Sequence, residues 1–214
     1  MIGFIGGTGP AGRGIALRLA LVGEQVSIGS RDAARAGEAA ESIIALAPGV
    51  PISGALNVEV ARDADLLFVT VPYAAQRYVL EEVKDLLKGK IVVDVVSPLA
   101  FRGGVARAVP VEAGSAALEA QELLPGSTVV AAFHTISAND LLVPATPLDS
   151  DVVVCADDSR ARERVMLLAE KIDGIRAVDG GGLENARYLE NFTALLININ
   201  RTYRAHTAIR IVGI

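Results

Sequence analysis

The chain has 214 residues, of which 51% are hydrophobic, and 20 Lys and Arg stand against 25 Asp and Glu for a formal net charge of −5. That length suits one large α/β domain burying roughly 70% of its unfolded surface, and an acidic balance without a basic tract argues against a nucleic-acid partner. No apolar run reaches the length of a membrane span, the N-terminus shows no charged leader or cleavage site, and the lone Cys155 excludes an intramolecular disulfide, so a cytoplasmic location is expected.

Met1 to Gly6 is a short apolar run, and Gly7-Thr8-Gly9-Pro10-Ala11-Gly12 follows it without a break. An apolar strand ending in G-x-G-x-x-G and opening an amphipathic helix (Ile15, Leu17, Leu19, Ala20, Val22) is the dinucleotide fingerprint. Gly7 is expected to permit the tight turn, Gly9 to let a pyrophosphate approach the backbone, and Gly12 to let the helix lie close on the strand. The helix N-terminus then offers unpaired N–H groups and a partial positive charge to the phosphates.

Gln25 to Gly29 reads as the second strand, ended by Ser30-Arg31-Asp32, and Ala33 to Ala47 as a helix closed by Pro48-Gly49. Ile52 to Leu56 is a short third strand, with a short helix near Val58 to Arg62. Asp65 to Val71 is almost wholly apolar, as a strand buried on both faces must be, and Pro72 stops it. A helix from about Ala74 to Leu87 leads through Gly89 into the buried strand Lys90 to Val96. Ser97 to Gly114 has Pro, Gly and Arg but no clean period and is expected to be a loop over the strand ends. Ser115 to Leu124 reads as a helix and Ser127 to Phe133 as a sixth strand, ending in His134-Thr135-Ile136. Asp151 to Cys155 and Ile175 to Val178 look like further strands around a helix from Ser159 to Ile172, which makes Cys155 a buried structural thiol. Gly180-Gly181-Gly182 precedes a last helical stretch, Leu183 to about Tyr203. Strands alternating with helices at this spacing mean βαβ units and a parallel sheet. The expected fold is α/β, a Rossmann-type doubly wound, mostly parallel sheet: residues 1–182 form the nucleotide-binding domain, and 183–214 a short C-terminal helical tail.

Where NAD-binding chains end the second strand in Asp or Glu, this one has Ser30-Arg31, with Arg35 a helical turn on. Guanidinium groups and a hydroxyl suit a 2′-phosphate that a carboxylate would repel, so NADP(H) is the expected cofactor; Asp32 reads equally well as the N-cap of the next helix. Ligands of open α/β sheets bind at the carboxyl ends of the strands, which gathers Val71-Pro72-Tyr73, Ser97-Pro98-Leu99 and His134-Thr135-Ile136 around one crevice. The two prolines there would make a rigid apolar platform for a flat ring, or simply end their strands. Carbonyl or imine reduction needs a positioned proton donor. His134 and His206 are the only histidines, the segment after Gly182 has no lysine, and no carboxylate pair or metal-ligand cluster stands out; no metal is expected. This favours hydride transfer to an acceptor needing little acid–base help, with no obligatory catalytic side chain and His134 as the one possible exception.

Gly6 to Gly12, Gly29-Ser30-Arg31, Thr70 to Tyr73, His134-Thr135-Ile136, Cys155 to Asp158, Asn191-Phe192-Thr193 and Asn198 together resemble the NADPH-dependent reductases of coenzyme F(420), the 8-hydroxy-5-deazaflavin carrier. The resemblance implies a cytoplasmic homodimer exchanging hydride between NADP(H) and the deazaflavin as small-molecule redox carrier. It places Thr8, Gly9, Pro10 and Ala11 on the pyrophosphate side, beside the fingerprint glycines Gly7 and Gly12, and Ser30, Arg31 and Arg35 on the 2′-phosphate, Arg35 standing where the family often has Lys. Val71, Pro72, Tyr73, Pro98, Leu99 and Ala138 would flank the cofactor, while His134, Ile136, Asn191 and Thr193 would line the deazaflavin side, His134 and Thr193 bonding ring oxygens. Asn191 departs from the smaller Ser expected there. The alternatives are an NADP-dependent imine or β-hydroxyacid-type reductase without its helical domain, and a non-catalytic NADPH-binding sensor. Leu189, Phe192, Leu195, Leu196 and Ile199 form an apolar stripe that must pack on its own sheet, on a partner, or on both.

Overall fold

The computed structural model describes all 214 residues. Six parallel strands form the central sheet: β1 (Ile2–Ile5), β2 (Val26–Ser30), β3 (Ile52–Leu56), β4 (Leu66–Val69), β5 (Ile91–Asp94) and β8 (Thr128–Ala131). Their order, β3-β2-β1-β4-β5-β8, is that of the dinucleotide-binding fold, with the topological switch between β1 and β4. Every residue of β1 and β4 is buried, because helices cover both faces. On one face lie α1 (Pro10–Leu21) and α2 (Ala33–Leu46); on the other, α3 (Asn57–Asp63), α4 (Tyr73–Val83) and α5 (Ala116–Leu123). Phe4 stacks on Phe68 of the neighbouring strand, and Phe68 takes edge-on Phe133, which follows β8.

Three expectations change. Ser97 to Gly114 is not an irregular loop: β6 (Leu99–Arg102) and β7 (Val105–Ala108) form an antiparallel hairpin. Its turn is Gly103-Gly104, both at positive φ (59° and 75°), the geometry that matches strand twist in a two-residue hairpin. The strands after the sixth do not extend the central sheet. β9 (Ser150–Val154) and β10 (Ile175–Asp179) pair parallel with each other around α7 (Ser159–Glu170), joined to β8 only by an antiparallel bridge between Ala131 and Cys155. The tight turn belongs to Gly6 (φ +69°) and not to Gly7, whose missing Cβ instead makes room for Phe4 and Ile28.

Sequence reading also missed α6 (Ala138–Leu141), a single turn after the β8 strand end. Buried Arg18 of α1 holds it: Nε donates to Leu141 O (2.9 Å), and Nη2 lies within hydrogen-bond reach of the Asp140, Val143 and Thr146 carbonyls. Gly14 allows the approach, since a Cβ there would stand 2.6 Å from that of Leu141. After a 3₁₀ turn, α8 (Ala186–Tyr203) crosses the hairpin, where the Asn198 side chain bonds both the N–H and the C=O of Ala106 (2.9 Å each). The chain then runs back extended, and the buried Asp151 carboxylate ties it down, accepting from Ile211 N and from Arg176. No helix is long and apolar enough to cross a membrane.

Candidate active site

The loop between β1 and α1 separates two hollows at the carboxyl ends of the strands. One, of about 540 Å³, is lined by Thr8, Gly9, Ser30, Arg31, Arg35, Val71 and Pro72 among others. The N–H groups of Thr8, Gly9, Ala11 and Gly12 donate to no protein acceptor, and a Cβ on Gly9 would meet nothing within 4 Å. At Gly12 a Cβ would lie 2.7 Å from Gly7 O and from Thr70 Oγ1, so this glycine sets how closely helix and strand pack. Asp32 proves to be a cap: its Oδ1 accepts from Ala34 N (2.9 Å) and Arg35 N (3.4 Å), which turns the carboxylate to its own helix. Arg31 and Arg35 are exposed and pair with no carboxylate. Asn57, which sequence reading missed, braces the loop by accepting from Gly6 N (3.1 Å).

The other hollow, of about 420 Å³, runs from Ala11 under α8, past Leu99, His134, Ile136, Ala138 and Thr193. Phe133, at φ +67°, turns the chain out of β8 and sends the His134 ring inward. His134 is 6% exposed, and neither ring nitrogen makes a hydrogen bond. Burial pulls its pKa down to about 4, with the Val96 backbone opposing, so the ring is neutral near pH 7. Thr193 serves as a brace rather than a free ligand group: its hydroxyl sits between His134 O (3.0 Å) and Leu189 O (3.1 Å) and accepts from Ser97 Oγ (3.1 Å). A third hollow, of about 490 Å³ beside Met1, Asp65 and Arg164, lies at the opposite ends of β1 and β4, away from where such sheets bind ligands.

Behind His134 the fold assembles what the sequence hid. Asp94 ends β5 and Glu190 sits on α8; with His134 they place three potential ligand atoms within 4.8 Å of one another, all buried. The expectation that the chain holds no carboxylate pair is therefore corrected: the residues lie far apart in sequence and meet only through topology. Desolvation and the neighbouring Glu190 push the Asp94 carboxyl well above its ordinary range. Desolvation raises Glu190 to about 6, against the backbone N–H groups of Ala116 and Ala117.

The family model for NADP oxidoreductase, coenzyme F420-dependent, matches residues 1–98. The F420-dependent NADP reductase of Methanothermobacter marburgensis is 44% identical, over all of this chain and 98% of its own length. That of Methanocaldococcus jannaschii is 38% identical over the same shares. The chain belongs to the F420-dependent NADP reductases. A solved structure from Arthrobacter sp. FB24, described as a candidate F420-dependent NADP reductase, superposes with TM-score 0.85 at 28% identity, covering 99% of each chain.

Within this family frame the expected site residues divide. Thr8, Gly9, Ser30, Arg31, Arg35, Val71 and Pro72 meet at the first hollow, and Ala11, Leu99, His134, Ile136, Ala138 and Thr193 at the second. Gly7 and Gly12 shape the loop from within, while Pro10 begins α1 on the exposed side. Three more residues join neither hollow. Tyr73 packs on the other helix layer with its hydroxyl beside Glu119, Pro98 is buried at the base of the hairpin with its carbonyl accepting from Val109 N (2.8 Å), and Asn191 lies on the exposed face of α8. The face of α8 that does line the second hollow carries Thr193, Leu196, Ile197 and Asn200. That i, i+3, i+4, i+7 spacing is readable in sequence once Thr193 is chosen as its start. Cys155 is buried, with its thiol pushed up to about 11, as suits a structural group.

Proposed function

We propose that this reductase exchanges a hydride between NADP(H), bound along the first hollow and the glycine loop, and coenzyme F(420), bound in the second. The observation that carries the assignment of sites is the shared wall: Gly9 faces one hollow and Ala11 the other. The unpartnered N–H groups at the start of α1 and the unpaired Arg31 and Arg35 supply donors for a pyrophosphate and a 2′-phosphate. When bound, the nicotinamide supplies the hydride and the deazaflavin ring receives it at carbon. The chain's own part is to bind, orient and exclude water: Leu99 and Ile136 offer apolar surface, and the neutral His134 offers a hydrogen bond without acting as an obligatory acid. Mixing the purified protein with NADPH and F(420) tests this, because the carrier's visible absorbance bleaches on reduction. Binding of NADPH without bleaching would favour a sensor, and consumption of NADPH only with imines would favour the imine-reductase alternative.

A cytoplasmic homodimer completes the reading. The apolar stripe of α8 divides in the fold, with Leu196 turned in and Phe192 and Leu195 36% and 49% exposed. Tyr188 and Tyr203 on the same helix and Phe101 on the hairpin are also exposed, which supports a second copy covering this side. Light scattering at micromolar concentration should give a dimer, and Leu195→Glu should give a monomer; a wild-type monomer would reject it.

A further inference from the structure

The buried groups behind His134 form a closed arrangement that the hydride exchange does not by itself use. Each carboxylate oxygen already accepts one N–H. Asp94 takes Val96 N on Oδ1 and Gln76 Nε2 on Oδ2 (2.9 Å each), and Glu190 takes Ala117 N on Oε1 (3.1 Å) and Ala116 N on Oε2 (2.8 Å). Glu190 thus caps the first turn of α5, beside the Ser115 side chain. No Lys or Arg neutralises the pair. The nearest other titratable groups are Glu119 of α5, engaged by Arg77 at 2.6 Å, and Tyr73 of α4. On the facing side, the buried polar atoms without a partner are Gln76 Oε1 and the two nitrogens of His134.

We propose that Asp94 and Glu190 share a proton and, by offering it to one nitrogen of His134, fix the imidazole in the tautomer whose N–H lies on the other nitrogen, at the border of the carrier hollow. Two carboxylates this close, out of water and without a cation, do not both ionise cheaply, so one proton stays with the pair. That proton needs an acceptor, and a neutral imidazole has one accepting and one donating nitrogen. Once the accepting nitrogen takes the carboxyl proton, the other nitrogen carries the N–H, beside the Val96 backbone, on a ring that borders the hollow and can there stabilise charge growing on the carrier ring. The directions of the shifts agree: the carboxyls are raised and the imidazole lowered, so the acids take up protons before the histidine does, the reverse of the ordinary order. Asp94 and Glu190 are on this account positioning residues, acting through His134. A His with two carboxylates can also hold a divalent cation; four oxygens already accepting N–H groups favour the proton.

The inference rests on the reading of the second hollow as the carrier site, and its main test does not use the carrier. The chain has only two histidines, so long-range ¹H–¹⁵N spectra of the full-length protein show two imidazoles, with half-exposed His206 as the internal control. Wild-type His134 should show one fixed neutral tautomer from pH 8 to pH 5. In Asp94→Asn and Glu190→Gln, which no longer share a titrating proton, it should become a mixture. Affinity for F(420) should fall about two- to tenfold, the loss of one hydrogen bond, with NADPH affinity, which also reports folding, unchanged. Wild-type His134 ionising near its ordinary value, or an unshifted tautomer in both variants, would overturn the proposal even where a variant fails to fold. Stoichiometric Zn²⁺ or Mn²⁺ binding lost in Glu190→Gln would overturn it in favour of a metal site. Absence of turnover with F(420), given a fixed wild-type tautomer, would instead count against the functional reading alone.

Discussion

The two hollows flanking the glycine loop hold their polar groups in opposite ways. On the side proposed for the nucleotide the donors are open and uncommitted: main-chain N–H groups without acceptors, and two exposed arginines without carboxylates. On the side proposed for the carrier, Thr193 and Glu190 are committed to the fold, Thr193 to His134 O and Glu190 to the α5 backbone, while the buried His134 ring has no partner. A charged phosphate can be met by flexible cations at the surface, whereas a neutral aromatic ring is placed only by groups that cannot move. Losing a residue on the first side should therefore change affinity for one ligand, and losing one on the second should change orientation and the fold's response to pH.

The largest separation should come from Arg31→Ala. A charge-assisted bond to phosphate contributes about 1.5–3 kcal/mol, so NADPH binding should weaken roughly ten- to a hundredfold while NADH and F(420) binding stay put. Equal weakening of both nucleotides, measured by fluorescence titration, would make Arg31 structural and break the contrast. Next are the two glycines of the loop. Gly12→Ala forces a methyl against Gly7 O and Thr70 Oγ1 and should cost about 1–3 kcal/mol in denaturant melts. Gly9→Ala meets open space at φ −76° and should stay within about 0.5 kcal/mol while still weakening NADPH binding.

The pH dependence of stability sharpens the carrier side. Glu190 is raised in the fold to about 6 from 4.5, so its contribution is fully present below the unfolded value and is lost as pH rises through 6. His134 is lowered from 6.5 to about 4, so the unfolded chain binds that proton first, and its contribution is lost as pH falls from 6.5 towards 4. The slopes oppose in wild type. Melting curves from pH 4 to 7 should show Glu190→Gln relatively more stable, on the order of 1–2 kcal/mol, at the upper end than at the lower; parallel curves would show that Glu190 titrates normally. The smallest effect belongs to His134→Ala, which should weaken F(420) binding about two- to tenfold. Its single-turnover rate at saturation should fall far less than the roughly 10²–10⁴-fold of a lost general acid. A thousandfold rate loss with binding intact would make His134 a proton donor.

The same contrast explains what the sequence disclosed. The first hollow is lined largely by contiguous motifs, Gly6 to Gly12 and Ser30 to Arg35, whose local spacing carries their geometry, so their meeting could be read from the sequence. Its one local error, the turn at Gly6 rather than Gly7, is a shift of a single residue. The carrier side is made by topology. Asp94, His134 and Glu190 come from two strand ends and a helix, and nothing in the sequence around any of them announces the others. Asn191 falls away from the second hollow because a helix face depends on rotation, which the contacts of Glu190, Thr193 and Asn198 with other elements fix. The hairpin itself was announced by Gly103-Gly104 but obscured by strands of only four residues each.

Arg18 reaches the segment after the β8 strand end through carbonyl oxygens alone. It therefore recognises a path and not a set of side chains. Residues 140–146 are free to drift in identity as long as the carbonyls still converge, but an insertion or deletion there would pull acceptors off the guanidinium and leave a buried cation short of partners. Among relatives this stretch should be tolerant in composition and intolerant in length, and Arg18→Lys, which cannot span the same fan of acceptors, should loosen the wall carrying Ala138 without touching either ligand.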